Sequence, residues 1–258
     1  MSLAKKISLS VLAIFLAAGG IFVYYLLAMG KPGFWEPSIR RFEEADRVNP
    51  PNQGCIVFTG SSSIALWKTV SDDMKPLDVV NRGFGGSQIS QVNEYLARIV
   101  LPYHPRAVVL YAGENDLSFP AWKKPDDVIE DFKEFVETIH EELPDTWIYY
   151  ISMKPTPLRW KNWPTISATN KRIEEFCRTQ DRVEYIDVSG AMLDASGNLR
   201  KDLYRADHLH MNPEGYAIWI SIIKPVLMAR FAPPATPGIT GQGSVSTHVA
   251  FPAALSLP

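Results

Sequence analysis

Val57-Phe58-Thr59-Gly60-Ser61-Ser62-Ser63-Ile64-Ala65-Leu66-Trp67, VFTGSSSIALW, sets an apolar run against a glycine, three serines and the start of an amphipathic segment. Such a run, rich in β-branched and aromatic residues and resuming with helical spacing after glycine, reads as a strand feeding a helix. Serine is a preferred residue at a helix start, so capping accounts for the three serines without any chemistry. A strand-to-helix junction is also where an α/β domain presents reactive groups. What the chain places at its other junctions decides between the two.

The same alternation recurs outward from that stretch. Apolar runs stand at CIVF 55–58, DVV 78–80, AVVLY 107–111, WIYYI 147–151 and VEYID 183–187, and helical patterns at 87–100, 126–142, 165–179 and 213–230. Short strands separated by helices need crossover connections, which predicts a mainly parallel five-stranded sheet inside a three-layer α/β/α sandwich. Ligands of such sheets bind beyond the carboxyl ends of the strands. The polar residues following each run are therefore the candidates for function.

A chain of 258 residues, 46% hydrophobic and 21% charged, can bury one substantial core and carry appendages. Its formal net charge of −2, without a dense Lys/Arg block, leaves no electrostatic footprint for nucleic acid. Cys55 and Cys177 are too few for a disulfide framework and lack metal-site spacing, so both read as small buried apolar residues, with a single bridge left open. No cofactor motif is complete. GFGGSQ at 83–88 begins like a dinucleotide fingerprint but has Gln88 at its sixth position, and the first cluster has Ile64 where a nucleophile elbow needs glycine.

Four segments divide the chain. Residues 1–30 hold an uncharged apolar run at 7–29, long enough for a single transmembrane helix and longer than a cleaved leader needs, although Leu16-Ala17-Ala18-Gly19 resembles a cleavage site. Lys5 and Lys6 on one flank and Lys31, Arg40, Arg41 and Arg47 on the other nearly balance, so charge does not fix the orientation. The expectation is a membrane-anchored protein whose catalytic domain lies outside the cytoplasm. Residues 31–52 read as a linker with an amphipathic helix at 37–48, residues 53–231 as the domain, and residues 232–258, rich in Pro, Gly, Ser and Ala, as a disordered tail.

The strand ends carry Gly60-Ser61-Ser62-Ser63, Asn81-Arg82-Gly83-Phe84-Gly85-Gly86-Ser87 and Gly113-Glu114-Asn115-Asp116, and a fourth cluster, Asp207-His208-Leu209-His210, precedes the last helix. These residue types suit acyl transfer. A serine hydroxyl becomes nucleophilic when an imidazole such as His210 takes its proton, and Asp207, three residues earlier, can fix the ring's tautomer. Gly86 can present an unobstructed backbone N–H and Asn115 a neutral amide donor to an oxyanion. The competing reading of Asp207, His208 and His210 as part of a metal site fails for want of further ligands, so no metal is assigned.

In chain order these four blocks resemble those of the SGNH hydrolases, also called GDSL esterases and lipases, over roughly residues 54–230. The resemblance implies a flavodoxin-like sandwich, Ser62 as nucleophile, His210 and Asp207 as its partners, and an oxyanion hole made by the Ser62 N–H, the Gly86 N–H and the Asn115 amide. Ser61 stands where the family usually has aspartate. The implied activity is hydrolysis of a carboxylic ester of a glycan or lipid without a cofactor; the alternatives are an O-acyltransferase using the same site and a catalytically silent tethered binding module. In the Pro-rich loop 154–164, Trp160 and Trp163 with their basic neighbours suggest a substrate wall, or else two tryptophans packed onto the domain.

Overall fold

The computed structural model describes residues 3–31, 33–118, 120–121 and 123–232; within the first helix the side chains at 3–9, 11, 22, 25 and 26 lie outside that description, as does the chain from 233 on, where the expected disordered tail falls. Five strands, β1 (Ile56–Gly60), β2 (Val79–Gly83), β3 (Ala107–Tyr111), β4 (Trp147–Ile151) and β5 (Val183–Ile186), form one sheet in the order β2-β1-β3-β4-β5. Every neighbouring pair is parallel. This is the flavodoxin-like order, whose switch point lies between β1 and β3.

Nine α-helices surround the sheet among the described residues: α1 (Leu3–Ala28), α2 (Glu36–Val48), α3 (Ser62–Ala65), α4 (Val70–Asp73), α5 (Ile89–Asn93), α6 (Leu96–Ile99), α7 (Pro125–Glu142), α8 (Trp163–Thr179) and α9 (Pro213–Phe231). Successive strand residues face opposite ways, so the sheet feeds two cores. Val57, Val108, Leu110, Ile148 and Tyr150 meet Ile39, Val92, Phe132 and Ile173 on one face. Ile56, Phe58, Val109, Tyr149 and Ile151 meet Trp67, Trp219, Ile223 and Leu227 on the other. Burial on both faces explains why the strands read as unbroken apolar runs.

Three expectations change. The helix expected over 87–100 is two short ones, because the backbone leaves helical geometry at Tyr95 (φ −113°, ψ 3°) while the Asn93 amide donates to Asp131 O at 2.9 Å, tying this turn to α7. The segment 31–52 is more than a tether: Ile39 is fully buried and Trp35 nearly so, and each such side chain contributes about 1.5–3 kcal/mol when taken from water. The buried Arg82 reinforces this docking by pairing with Asp46 of α2. The apolar run is helical within α1 over residues 7–28, but among the described residues no helix is long and apolar enough to cross a membrane, so the expected transmembrane span is not borne out here. Cys55 and Cys177 are buried free thiols, which closes the question of a bridge between them.

Candidate active site

The carboxyl ends of β1 and β3, either side of the switch point, supply the first two parts of the site. Ser62 opens α3 directly after β1, and the turn is pinned by the Ser61 N–H donating to Tyr111 O at 2.8 Å. Ser61 stands at the N-cap position, yet its side chain makes no capping bond, and Ser63 Oγ instead accepts from Lys154 Nζ at 3.1 Å. The capping reading of the serine run therefore fails on side-chain geometry. Asn212 does what the serines do not: its side chain accepts from the Gly215 N–H at 3.0 Å at the start of α9.

The loop before α9 brings His210 to Ser62. Its Nε2 lies 3.0 Å from Ser62 Oγ and its Nδ1 lies 2.8 Å from Asp207 Oδ2. With the Nδ1 proton given to the carboxylate, Nε2 carries the lone pair that faces the hydroxyl. Asp207 Oδ1 accepts the backbone N–H groups of Leu209 and His210, each at 2.9 Å, so this carboxylate braces its own loop as well as the ring. Partial burial would lift its pKa, but the N–H of His210, the imidazole and the N–H of Leu209 outweigh that and hold it at about 2. Asp207 is thus an anion throughout the pH range of ordinary ester hydrolysis.

A cavity of about 500 Å³ opens over Ser62 and His210, with Gly86, Asn115, Arg159 and Met29 in its lining. Gly86 has φ +87°, a left-handed backbone natural to glycine, and an added Cβ would lie 2.2 Å from Met29 Cε. Met29 follows α1, and its carbonyl accepts from Gln91 Nε2 at 2.6 Å, while Gln91 Oε1 accepts from Trp35 Nε1 at 3.0 Å. The N-terminal segment therefore closes over the glycine. Asn115 is held from both ends of its amide: Nδ2 donates to Ser87 O at 3.0 Å and Oδ1 accepts from Arg159 Nη2 at 2.8 Å. The second Nδ2 proton stays available to a ligand in the cavity.

Beneath the site lies a buried ionic cluster. Lys154 Nζ donates to Glu114 Oε2 at 2.7 Å, Tyr111 OH at 3.0 Å and Ser63 Oγ at 3.1 Å, using all three of its protons. Burial alone would lift the Glu114 carboxyl, but Lys154 and Arg159 overcome it and keep the group below the usual carboxylate range. Burial pulls the Lys154 ammonium below its ordinary value, with Glu114 opposing. Asp116 accepts the Ile89 N–H at 3.2 Å, and burial pushes its carboxyl up to about 6.

Ser62, Asp207, His210, Gly86 and Asn115 thus converge, whereas neither tryptophan lines the cavity over Ser62. Trp163 packs against the core at the start of α8, and Trp160 stacks on it with centroids 6.4 Å apart and planes 9° apart. Glu114, quoted in the third strand-end cluster, braces the site from beneath, while Arg159, Lys154 and Met29 join it without having been singled out one by one from sequence. The one signal was the set of basic residues flanking the tryptophans; the arginine, not the indoles, reaches the cavity.

Comparison with known proteins bears on the fold and the family. The chain resembles a GDSL-like lipase from Bacteroides thetaiotaomicron (TM-score 0.65, 20% identity, covering 75% of this chain and 98% of that one). It also resembles a lipase/acylhydrolase from Enterococcus faecalis (TM-score 0.60, 22% identity, 71% and 100%) and a carbohydrate esterase family 3 protein from Talaromyces cellulolyticus (TM-score 0.55, 20% identity, 68% and 97%). At these identities the likeness establishes the fold. No curated protein matches the sequence. The model of the GDSL-like lipase/acylhydrolase family matches residues 53–218, most of the chain, and the chain accordingly belongs to that family and is a hydrolase.

Proposed function

We propose that the protein hydrolyses carboxylic esters through an acyl-enzyme on Ser62. The observation that carries the reading is the unbroken chain from Ser62 Oγ through His210 Nε2 and Nδ1 to Asp207, at 3.0 and 2.8 Å. Ser62 Oγ attacks the ester carbon as His210 takes its proton, and the oxyanion is met by the Ser62 and Gly86 N–H groups and the free Asn115 amide proton. The bond to the alcohol then breaks, with His210 returning the proton to the departing oxygen. Water, deprotonated by the same nitrogen, attacks the acyl carbon, the bond to Ser62 Oγ breaks, and His210 returns the proton to Oγ as the acid is released. No step uses a cofactor.

The substrate in this reading is an acylated glycan or lipid. A fluorophosphonate probe is expected to label the native chain and not Ser62→Ala. Equal labelling of both proteins moves the nucleophile elsewhere, and an unlabelled native chain removes the serine mechanism.

The proposal includes a location, with the chain held at a membrane by residues 7–29 and the domain outside the cytoplasm. Its support is the uncharged composition of that segment and the exposure of Ile14, Phe15, Leu16, Ile21 and Tyr24 on α1. Alkaline extraction that leaves the full chain in the soluble fraction refutes it.

A further inference from the structure

The catalytic cavity shares a wall with a second one. Segments 157–160 and 208–210 run side by side, joined by the Leu158 N–H donating to His208 O at 2.9 Å. Their residues divide between two sides. Arg159, Leu209 and His210 line the catalytic cavity, whereas Pro157, Leu158, Trp160 and His208 line a neighbouring cavity of about 640 Å³ that Asn198, Leu199 and Lys201 complete. His208 has φ +58°, an uncommon conformation for a residue other than glycine, at the step where consecutive side chains pass from one cavity to the other. A ligand of several units can span both cavities across the strip that these two segments form.

The lining of the second cavity indicates what such a ligand contains. Trp160 is fixed by its stacking on Trp163, yet remains 39% exposed, and Leu158 is 63% exposed. A flat, pre-positioned indole beside the polar groups of Asn198, Lys201 and His208 suits a sugar ring, whose C–H face covers the indole while its hydroxyls reach the polar rim. Charge narrows the class. The chain has 28 acidic and 26 basic residues, but among the described residues the linings of the two cavities contain Lys68, Arg159 and Lys201 and no carboxylate. Ligands that carry negative charge are favoured at such a surface.

We propose that the second cavity is a glycan subsite, and that the substrate is an acylated acidic oligosaccharide. One sugar stacks on Trp160 while its acylated neighbour presents the ester to Ser62, and carboxylates along the chain meet Lys201 and Arg159. The inference rests on the ester-hydrolase reading and assigns that site its substrate class.

The test compares full-length enzyme on O-acetylated oligogalacturonate, on neutral O-acetylated xylo-oligosaccharide and on p-nitrophenyl acetate. The acidic oligomer is expected to show the lowest KM, rising with added salt. Trp160→Ala is expected to raise KM for both oligomers by about tenfold relative to p-nitrophenyl acetate, and Lys201→Met to raise it for the acidic oligomer alone. Ser62→Ala is expected to bind deacetylated oligogalacturonate with a change in tryptophan fluorescence, a readout independent of turnover and of the folding of the Trp160 variant. Equal KM for the two oligomers, absence of that binding, or preference for a long-chain acylglycerol overturns the subsite. A native enzyme that fluorophosphonate does not label strikes the hydrolase reading instead, so the two failures are distinguishable.

Discussion

Glu114→Gln tests whether the buried charges under the site act as one unit. The carboxylate is 4% exposed and the Lys154 side chain 2%, with Nζ and Oε2 2.7 Å apart. Glutamine keeps the size and one acceptor but leaves the ammonium of Lys154 without its counter-ion, and removing one partner of a buried pair costs about 3–5 kcal/mol. For a domain of this size each kcal/mol shifts the thermal midpoint by about 2–4 °C, so the variant is expected to melt about 6–20 °C below the native chain. Lys154→Met made together with Glu114→Gln removes both charges and is expected to recover at least half of that loss, because the penalty belongs to the stranded ion. Calorimetry on the four proteins of the cycle measures the coupling. A single-variant loss below about 1 kcal/mol, or a double variant whose loss is the sum of the singles, refutes the reasoning.

Two other predictions concern groups on the same loop. Asn115→Ala removes one of the proposed oxyanion donors and is expected to lower kcat by about 10²–10³ with KM little changed; steady-state kinetics on p-nitrophenyl acetate checks it, and a drop smaller than about threefold would take the amide out of the reaction. Asp116 has its carboxyl raised from 3.8 to about 6 by burial, so the folded chain holds a proton that the unfolded chain releases between those values. The contribution of Asp116 to native stability is therefore expected to fall by about 3 kcal/mol as the pH rises from about 4 to about 6, and to stay lower above that, against the opposite trend of carboxylates held low such as Glu36 and Asp207. In melting curves, the stability difference between the native chain and Asp116→Asn should shift by that amount across this pH range, and a difference that does not change with pH takes Asp116 out of the effect.

Local pattern carried much of the fold. AVVLY and WIYYI coincide with β3 and β4, and the helix expected at 126–142 begins one residue earlier, at Pro125, because strand and helix periods are properties of consecutive residues. The break at Tyr95 was not legible, since apolar spacing continues across it and the turn is made by an amide bond to another helix. The site divides in the same way. Ser62, Gly86, Asn115, Asp207 and His210 sit in compact blocks with distinctive neighbours. Lys154 and Arg159 meet Glu114 from positions 40 and 45 residues later, each an isolated residue with no spacing to mark it, and only three-dimensional burial shows that they form one cluster.

Met29 ends the apolar N-terminal stretch that protein engineers customarily delete to obtain tractable material, yet here it shields Gly86, the glycine of the proposed oxyanion pocket. Shortened versions beginning just downstream would keep Ser62, Asp207 and His210 and lose part of the enclosure over them. Selectivities recorded on such trimmed preparations would describe a wider mouth than the natural enzyme possesses.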